Sequence, residues 1–150
     1  MAATTERSPG ATTIRPFTVE VPEGWNRHTE DCVTTLRSPR GIGILYFSAA
    51  RHARGRQDSF GGADFLTRFL KSLGLEVEES EIVLSSGLGC RIYTYVRDTE
   101  SAHWTFWSVT DDETALLISY ACSLQEGDGE LEEVEGIVRS ARLYHSAPIH

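Results

Sequence analysis

The sequence contains no apolar run approaching the roughly 20 residues that a membrane-spanning helix requires. Its first thirteen residues hold no apolar stretch of the kind a signal peptide carries, which predicts a cytoplasmic protein without membrane insertion. Cysteine is scarce. Cys32, Cys90 and Cys122 are odd in number, far apart and without a CxxC pair, a pattern that argues against a disulfide framework and fits a reducing compartment. Each lies in an apolar or strand-like run and is read as a buried, inert thiol. Chelating histidines are missing as well: His28, His52, His103, His145 and His150 form no HxH or HExxH pair. The local chelate of a zinc site is therefore lacking, and neither a metal nor a cofactor is expected. The serine runs hold no G-x-S-x-G elbow. Gly41-Ile42-Gly43 lacks the third glycine and the following helix of a dinucleotide loop, so its glycines are assigned to a bend or a close backbone approach.

What is present describes a globular domain. A chain of 150 residues fits one domain and is long enough to bury a core without metal or disulfide staples. Residues 14–144 are assigned to this single α+β domain, with a flexible N-terminal arm at 1–13 and a flexible tail at 145–150. The formal net charge of −8 is unevenly spread. Residues 1–56 carry eight arginines against five acids, whereas residues 57–150 carry six basic residues against seventeen acids. Such acidity is unfavourable for phosphate backbones, and nucleic acid is excluded as a partner.

Along the chain, Phe17, Val19 and Val21 alternate with Thr18 and Glu20, predicting a half-buried strand over 17–21 that Pro22 ends. Pro22-Glu23-Gly24 is a turn delivering Trp25. Strands at 32–36 and 42–48, joined by the turn Ser38-Pro39-Arg40-Gly41, form a hairpin. The period then changes to helical: Phe65, Leu66, Phe69, Leu70 and Leu73 share one face of a helix over 63–74, with Gly74 at its left-handed C-cap. Four strands follow, at 76–84, 88–96, 103–109 and 116–122, the last three forming an antiparallel meander. The strand at 116–122 is apolar on both faces, which requires cover on both faces of the sheet. Leu131, Val134, Ile137, Val138 and Ala141 make the apolar stripe of a final helix over 129–143, with Gly136 marking close approach to the sheet. The acidic run from Glu126 to Glu135 is read as its solvated face. The expected order is βββ-α-ββββ-α, an antiparallel sheet of six to seven strands with helices packed on it.

A strand ending in Val21-Pro22-Glu23-Gly24-Trp25, then a hairpin, a helix, a meander and a final helix reading Glu135-Gly136-Ile137-Val138-Arg139-Ser140, resembles the PsbP-like superfamily. That group includes the DcrB-like bacterial proteins and a eukaryotic Ran-binding relative. Three further segments resemble a small bacterial family of unknown function: Ser38-Pro39-Arg40-Gly41-Ile42-Gly43-Ile44-Leu45, the Trp104 and Trp107 pair, and Ile118-Ser119-Tyr120-Ala121-Cys122. The resemblance covers residues 14–143. It implies a PsbP-like sandwich and, since the superfamily is used mainly for binding, a protein partner. It transfers no catalytic residue.

Three candidate sites follow from the residues themselves. Arg51, Arg54 and Arg56 form a basic loop in an acidic protein, suited to an anion or an acidic partner. Arg37 and Arg40 flank the other end of the preceding strand, about 23 Å away if seven residues are extended, and belong to a separate group. Among the aromatics, Trp104 and Trp107 are placed in the core on opposite sheet faces. Trp107, Tyr93 and Tyr95 become interaction residues if they are exposed. His103 and Cys90, if they meet across strands, offer a base and a nucleophile, but no third group orients them.

The function expected from the sequence is a non-enzymatic cytoplasmic protein-binding module of the chaperone, adaptor or immunity type, with homodimerisation left open. The alternatives are a small-molecule or lipid binder with a cleft between sheet and helix, and an enzyme dependent on Cys90 or Cys122.

Overall fold

A computed structural model describes residues 17–31, 33–51, 64–111, 114–123 and 128–143. The expected arms at 1–13 and 145–150, together with Cys32, Arg54 and Arg56, lie outside the described residues, as does the side chain of Arg51. The elements in chain order are β1 (Phe17–Thr18), β2 (Asn26–Glu30), β3 (Val33–Arg37), β4 (Gly43–Arg51), α1 (Asp64–Ser72), β5 (Val83–Ser86), β6 (Arg91–Asp98), β7 (Ala102–Thr110), β8 (Thr114–Ser123), α2 (Asp128–Arg139) and β9 (Arg142–Leu143). Seven strands form one antiparallel sheet in the order β2-β3-β4-β8-β7-β6-β5, and β1 pairs with β9 in a separate ribbon. The fold is α+β on an antiparallel sheet, as the hydrophobic periodicities indicate.

The two helices lie on opposite faces of the large sheet. Alternation along the central strands sends Leu45, Phe47, Trp107, Val109, Leu116, Ile118 and Tyr120 to one face. There they pack against Val134, Ile137, Val138 and Ala141 of α2. Phe17 of β1 joins this layer by stacking on Phe47, ring centroids 5.5 Å apart. This is the inner face. Tyr93, Tyr95 and Phe106 point the other way and meet Leu66 and Leu70 of α1, which defines the outer face. A fully buried Leu or Ile contributes roughly 1.5–3 kcal/mol through apolar area removed from water, so each helix is held mainly by its stripe.

Local chemistry explains most boundaries. Helix α1 ends in a Schellman motif: Gly74 N–H donates to Lys71 O (2.9 Å), Leu75 N–H donates to Leu70 O (3.0 Å), and Gly74 adopts φ +87°. The C-cap expected at Gly74 is thus formed. The predicted strand at 76–84 starts only at Val83, because Glu79–Glu81 makes a 3-10 turn. Its Glu78 N–H donates to the Glu81 side chain (2.9 Å). Helix α2 stops at Arg139 rather than at 143. The Ser140 hydroxyl donates to Ile137 O and accepts from Glu20 N–H, 2.6 and 2.7 Å, which turns the chain into β9 beside β1. Strand β2 was not expected. It is polar and exposed at every position, so it carries no periodicity, and it is held by its register with β3 across a turn in which Asp31 takes φ +57°. Gly136 is also corrected: it faces open space, with no atom within 4 Å of where a β-carbon would stand, and marks no approach to the sheet.

Candidate functional site

At one end of the inner face, the first turn of α2 is tied to the sheet by a buried carboxyl group. Glu130 is fully buried. It accepts hydrogen bonds from the Ser38 hydroxyl, from the Tyr120 hydroxyl (2.6 Å) and from Gly43 N–H (3.1 Å). Ser38 in turn accepts from the backbone N–H of Arg40 and Gly41, at 3.1 and 3.2 Å, so its side chain shapes the β3–β4 turn and locks it to α2. Gly43 is required at this point. A β-carbon there would stand 2.5 Å from Ala121 O and 2.7 Å from the Tyr120 ring. Burial pushes the Tyr120 phenol well above its ordinary range, and its hydrogen bond to Glu130 pushes it further the same way. The expectation that the acidic run is solvated is therefore wrong at Glu130. This residue stands four, seven and eight positions before Val134, Ile137 and Val138, on the buried stripe, while Glu132 and Glu133 face solvent and Glu133 pairs with Arg40 (2.8 Å).

Beside this latch, His103 Nδ1 lies 2.6 Å from Asp98 Oδ1, and His103 Nε2 lies 3.1 Å from Thr105 Oγ1. An acid, an imidazole and a hydroxyl in line have the connectivity of an activated nucleophile. Here, however, the hydroxyl is sealed in the sheet: Thr105 is 1% exposed. A substrate cannot reach it, and the arrangement acts as a strut joining the ends of β6 and β7. The suggested His103–Cys90 pair does not form. The cross-strand partners of His103 are Asp98 and Cys122. Cys90 precedes Arg91, which pairs with Thr110 at the other end of β7. Burial raises the Cys90 thiol above its ordinary value, as does the nearby Asp111, which keeps it a poor nucleophile.

The outer face is only half covered. Helix α1 shields Tyr93, Tyr95 and Phe106, but among the described residues no element lies over the part built from β3, β4 and the ends of β7 and β8. Two neighbouring rows cross this region. One runs Thr35, Tyr46, Ser119 and Phe106, and the next runs Ile44, Ala121, Trp104 and Arg97. Tyr46 is 42% and Trp104 36% exposed. Trp104 is held flat by stacking on Phe106, centroids 5.8 Å apart and planes within 5°. Phe69 of α1 braces Phe106 edge-on.

Of the residues singled out from the sequence, Arg51 is the last residue of β4, opposite Thr114 and at the far end of that strand from Gly43. Trp107, Tyr93 and Tyr95 are buried, at 3, 7 and 4% exposure, so the condition set for their role as contact residues is not met. The strand alternation for Trp104 and Trp107 holds: they occupy opposite faces, but only Trp107 is in the core. Tyr46 was not singled out, although it alternates with the buried Leu45 and Phe47, which place it on the other face.

An antiparallel sheet with one helix on each face and a terminal strand pair is a PsbP-like fold. Among solved structures, the chain is similar to the cyanobacterial PsbP protein (CyanoP) of Synechocystis sp. PCC 6803. The TM-score is 0.57 at 15% identity, covering 92% of this chain and 98% of that one. It is also similar to a protein of Bacteroides thetaiotaomicron VPI-5482, with a TM-score of 0.62 at 14% identity, covering 90% of this chain and 47% of the other. The chain thus spans about half the length of the Bacteroides protein. At these identities the likeness is one of fold. No family model matches the chain, and no curated protein does.

Proposed function

We propose that this protein is a non-enzymatic, cytoplasmic protein-binding module of the chaperone, adaptor or immunity type, and that it docks its partner on the uncovered half of the outer face. The observation that carries this reading is the pair Tyr46 and Trp104. Two large aromatic side chains stand exposed on a rigid sheet, and Tyr and Trp in such settings supply most of the energy of protein interfaces. The sealed Thr105 hydroxyl and the raised Cys90 thiol give support from the chemical side. A photo-crosslinking residue at position 46, expressed in the native host, tests the reading. The expected result is one dominant heterologous protein adduct, absent when the same residue replaces Glu132, exposed on α2 across the sheet. Equal labelling at both positions overturns it.

One observation favours a second reading, a small-molecule or lipid binder. Ser108 Oγ and Thr110 Oγ1 are buried without a hydrogen-bond partner, and both alternate with Trp107 and Val109 onto the outer face. A ligand with polar groups held there would satisfy them, since buried hydroxyls without partners are costly. Native mass spectrometry of the protein purified from its host, showing a stoichiometric bound small molecule, would favour this alternative.

A further inference from the structure

The uncovered half of the outer face has a charge pattern opposite to that of the chain. The row Ile44, Ala121, Trp104 and Arg97 ends in an arginine at one side. At the other side stands Arg37, the last residue of β3, on the same face as Thr35 because its neighbour Leu36 is buried inward. Both arginines are exposed. Arg97 donates only to the neutral Tyr95 hydroxyl (3.1 Å). Neither guanidinium has a carboxylate partner among the described residues. Among the described acids at this end of the sheet, Glu130 is buried under α2, Glu133 pairs with Arg40 and Asp98 pairs with His103 on the inner side, while Glu100 is exposed in the β6–β7 turn. Glu30, beside Val33, is at the opposite end of β3 and contacts His28 (3.4 Å).

We infer that the partner presents a short, extended, acidic segment to this face, with an acid near each end and apolar side chains between. The inference rests on the docking reading above and specifies the chemistry of what docks. Arg37 on β3 and Arg97 on β6 have three strands between them, and four spacings of about 4.8 Å place their backbones roughly 19 Å apart. An extended segment of about six residues at roughly 3.3 Å each covers that distance. Its acids meet the two guanidinium groups, while its central apolar side chains lie on Tyr46, Ala121 and Trp104. A chain of net charge −8 repels acidic partners at long range, so local positive charge is what admits one here. A single-stranded nucleic acid would use the same aromatic faces but would carry charge along its whole length over an acidic surface.

The probes are two hexapeptides with identical apolar centres, one bearing glutamate at both ends and the other lysine. Binding is read from the backbone amide shifts of Tyr46 and Ala121 by NMR at 50 mM salt. The glutamate peptide is expected to bind at least about tenfold more tightly, from two exposed ion pairs gained in one case and two repulsions in the other. The double variant Arg37→Glu/Arg97→Glu is expected to reverse the preference. Both substitutions are at exposed positions, and an unchanged far-ultraviolet spectrum confirms folding. Equal affinity for the two peptides, abolished by Trp104→Ala, leaves the docking face in place and overturns the acidic segment. No shift with either peptide overturns the inference, as does tighter binding of a decathymidine strand. Crosslinking from position 46 tests the docking reading separately, so the two failures are distinguishable.

Discussion

The two faces of the seven-stranded sheet solve the same problem differently. On the inner face, α2 and the β1–β9 ribbon cover the central strands, leaving Val83 and Val96 exposed at the β5–β6 edge, and the polar groups at one end are internally matched around Glu130. On the outer face, α1 is shorter and covers only the strands on one side, leaving Tyr46 and Trp104 in contact with water. The end of the inner face around Glu130, with its donors matched internally, has little left to offer a partner. The difference indicates where stability is invested and where recognition is available. It also explains why the residues recognisable in the sequence around Ser38 to Leu45 are architectural: they build the latch on the closed side.

The largest effect expected on this comparison comes from the latch. Glu130→Ala leaves the Ser38 hydroxyl, the Tyr120 hydroxyl and Gly43 N–H buried without their acceptor, and at about 1 kcal/mol or more for each orphaned donor it is expected to cost at least about 3 kcal/mol. Urea unfolding measures this, and a loss below about 1 kcal/mol would erase the distinction between the faces. The Tyr120 phenol supplies the next test. Its folded pKa is raised, so the folded state keeps a proton that the unfolded chain loses above about pH 10. The stability is fully present below that pH and is expected to fall above it by up to about 1.4 kcal/mol per pH unit. Tyr120→Phe should remove that part of the alkaline slope, as followed by thermal melts between about pH 8 and 11.

Smaller effects are expected where the molecule meets solvent. Gly136→Ala, on the exposed side of α2 with open space around it, should stabilise the protein by about 0.5–1 kcal/mol through helix propensity; a loss of stability would show that another element packs closely against this side of the helix. Tyr46→Ala should change stability by no more than about 0.5 kcal/mol, as exposed substitutions usually do, while removing partner crosslinking to that face. If it destabilised the fold as a core residue does, the outer face would be structural and not free for docking.

Much of this architecture was legible from local patterns. The alternation in 42–48, 103–109 and 116–122 carries the central strands, and the stripe Phe65, Leu66, Phe69 and Leu70 with Gly74 behind it carries α1 and its cap. The two-sided apolarity of residues 116–122 anticipated cover on both faces. Strand β2 was not legible, because all five of its side chains are exposed and its backbone hydrogen bonds with β3 leave no trace in side-chain pattern. The ribbon β1–β9 was only half visible, since Arg142–Leu143 continues a helical pattern until Ser140 turns the chain. For the candidate site, the signal at Glu130 was present in its spacing to Val134 and Ile137, but an acid in an acidic run reads as solvated unless its partners are known.

By itself, then, the sequence determined which segments become strands and helices and which side chains share a face, because these follow from periods of about 2 and 3.6 and from the φ that glycine permits. Which face stays open follows instead from packing between segments far apart in the chain. Exposure of Tyr46 and Trp104 depends on how much sheet α1 can reach, and burial of Glu130 depends on Ser38, Gly43 and Tyr120 arriving from strands far apart in sequence. Periodicity acts within one segment; satisfaction of a buried polar group is a property of several segments at once.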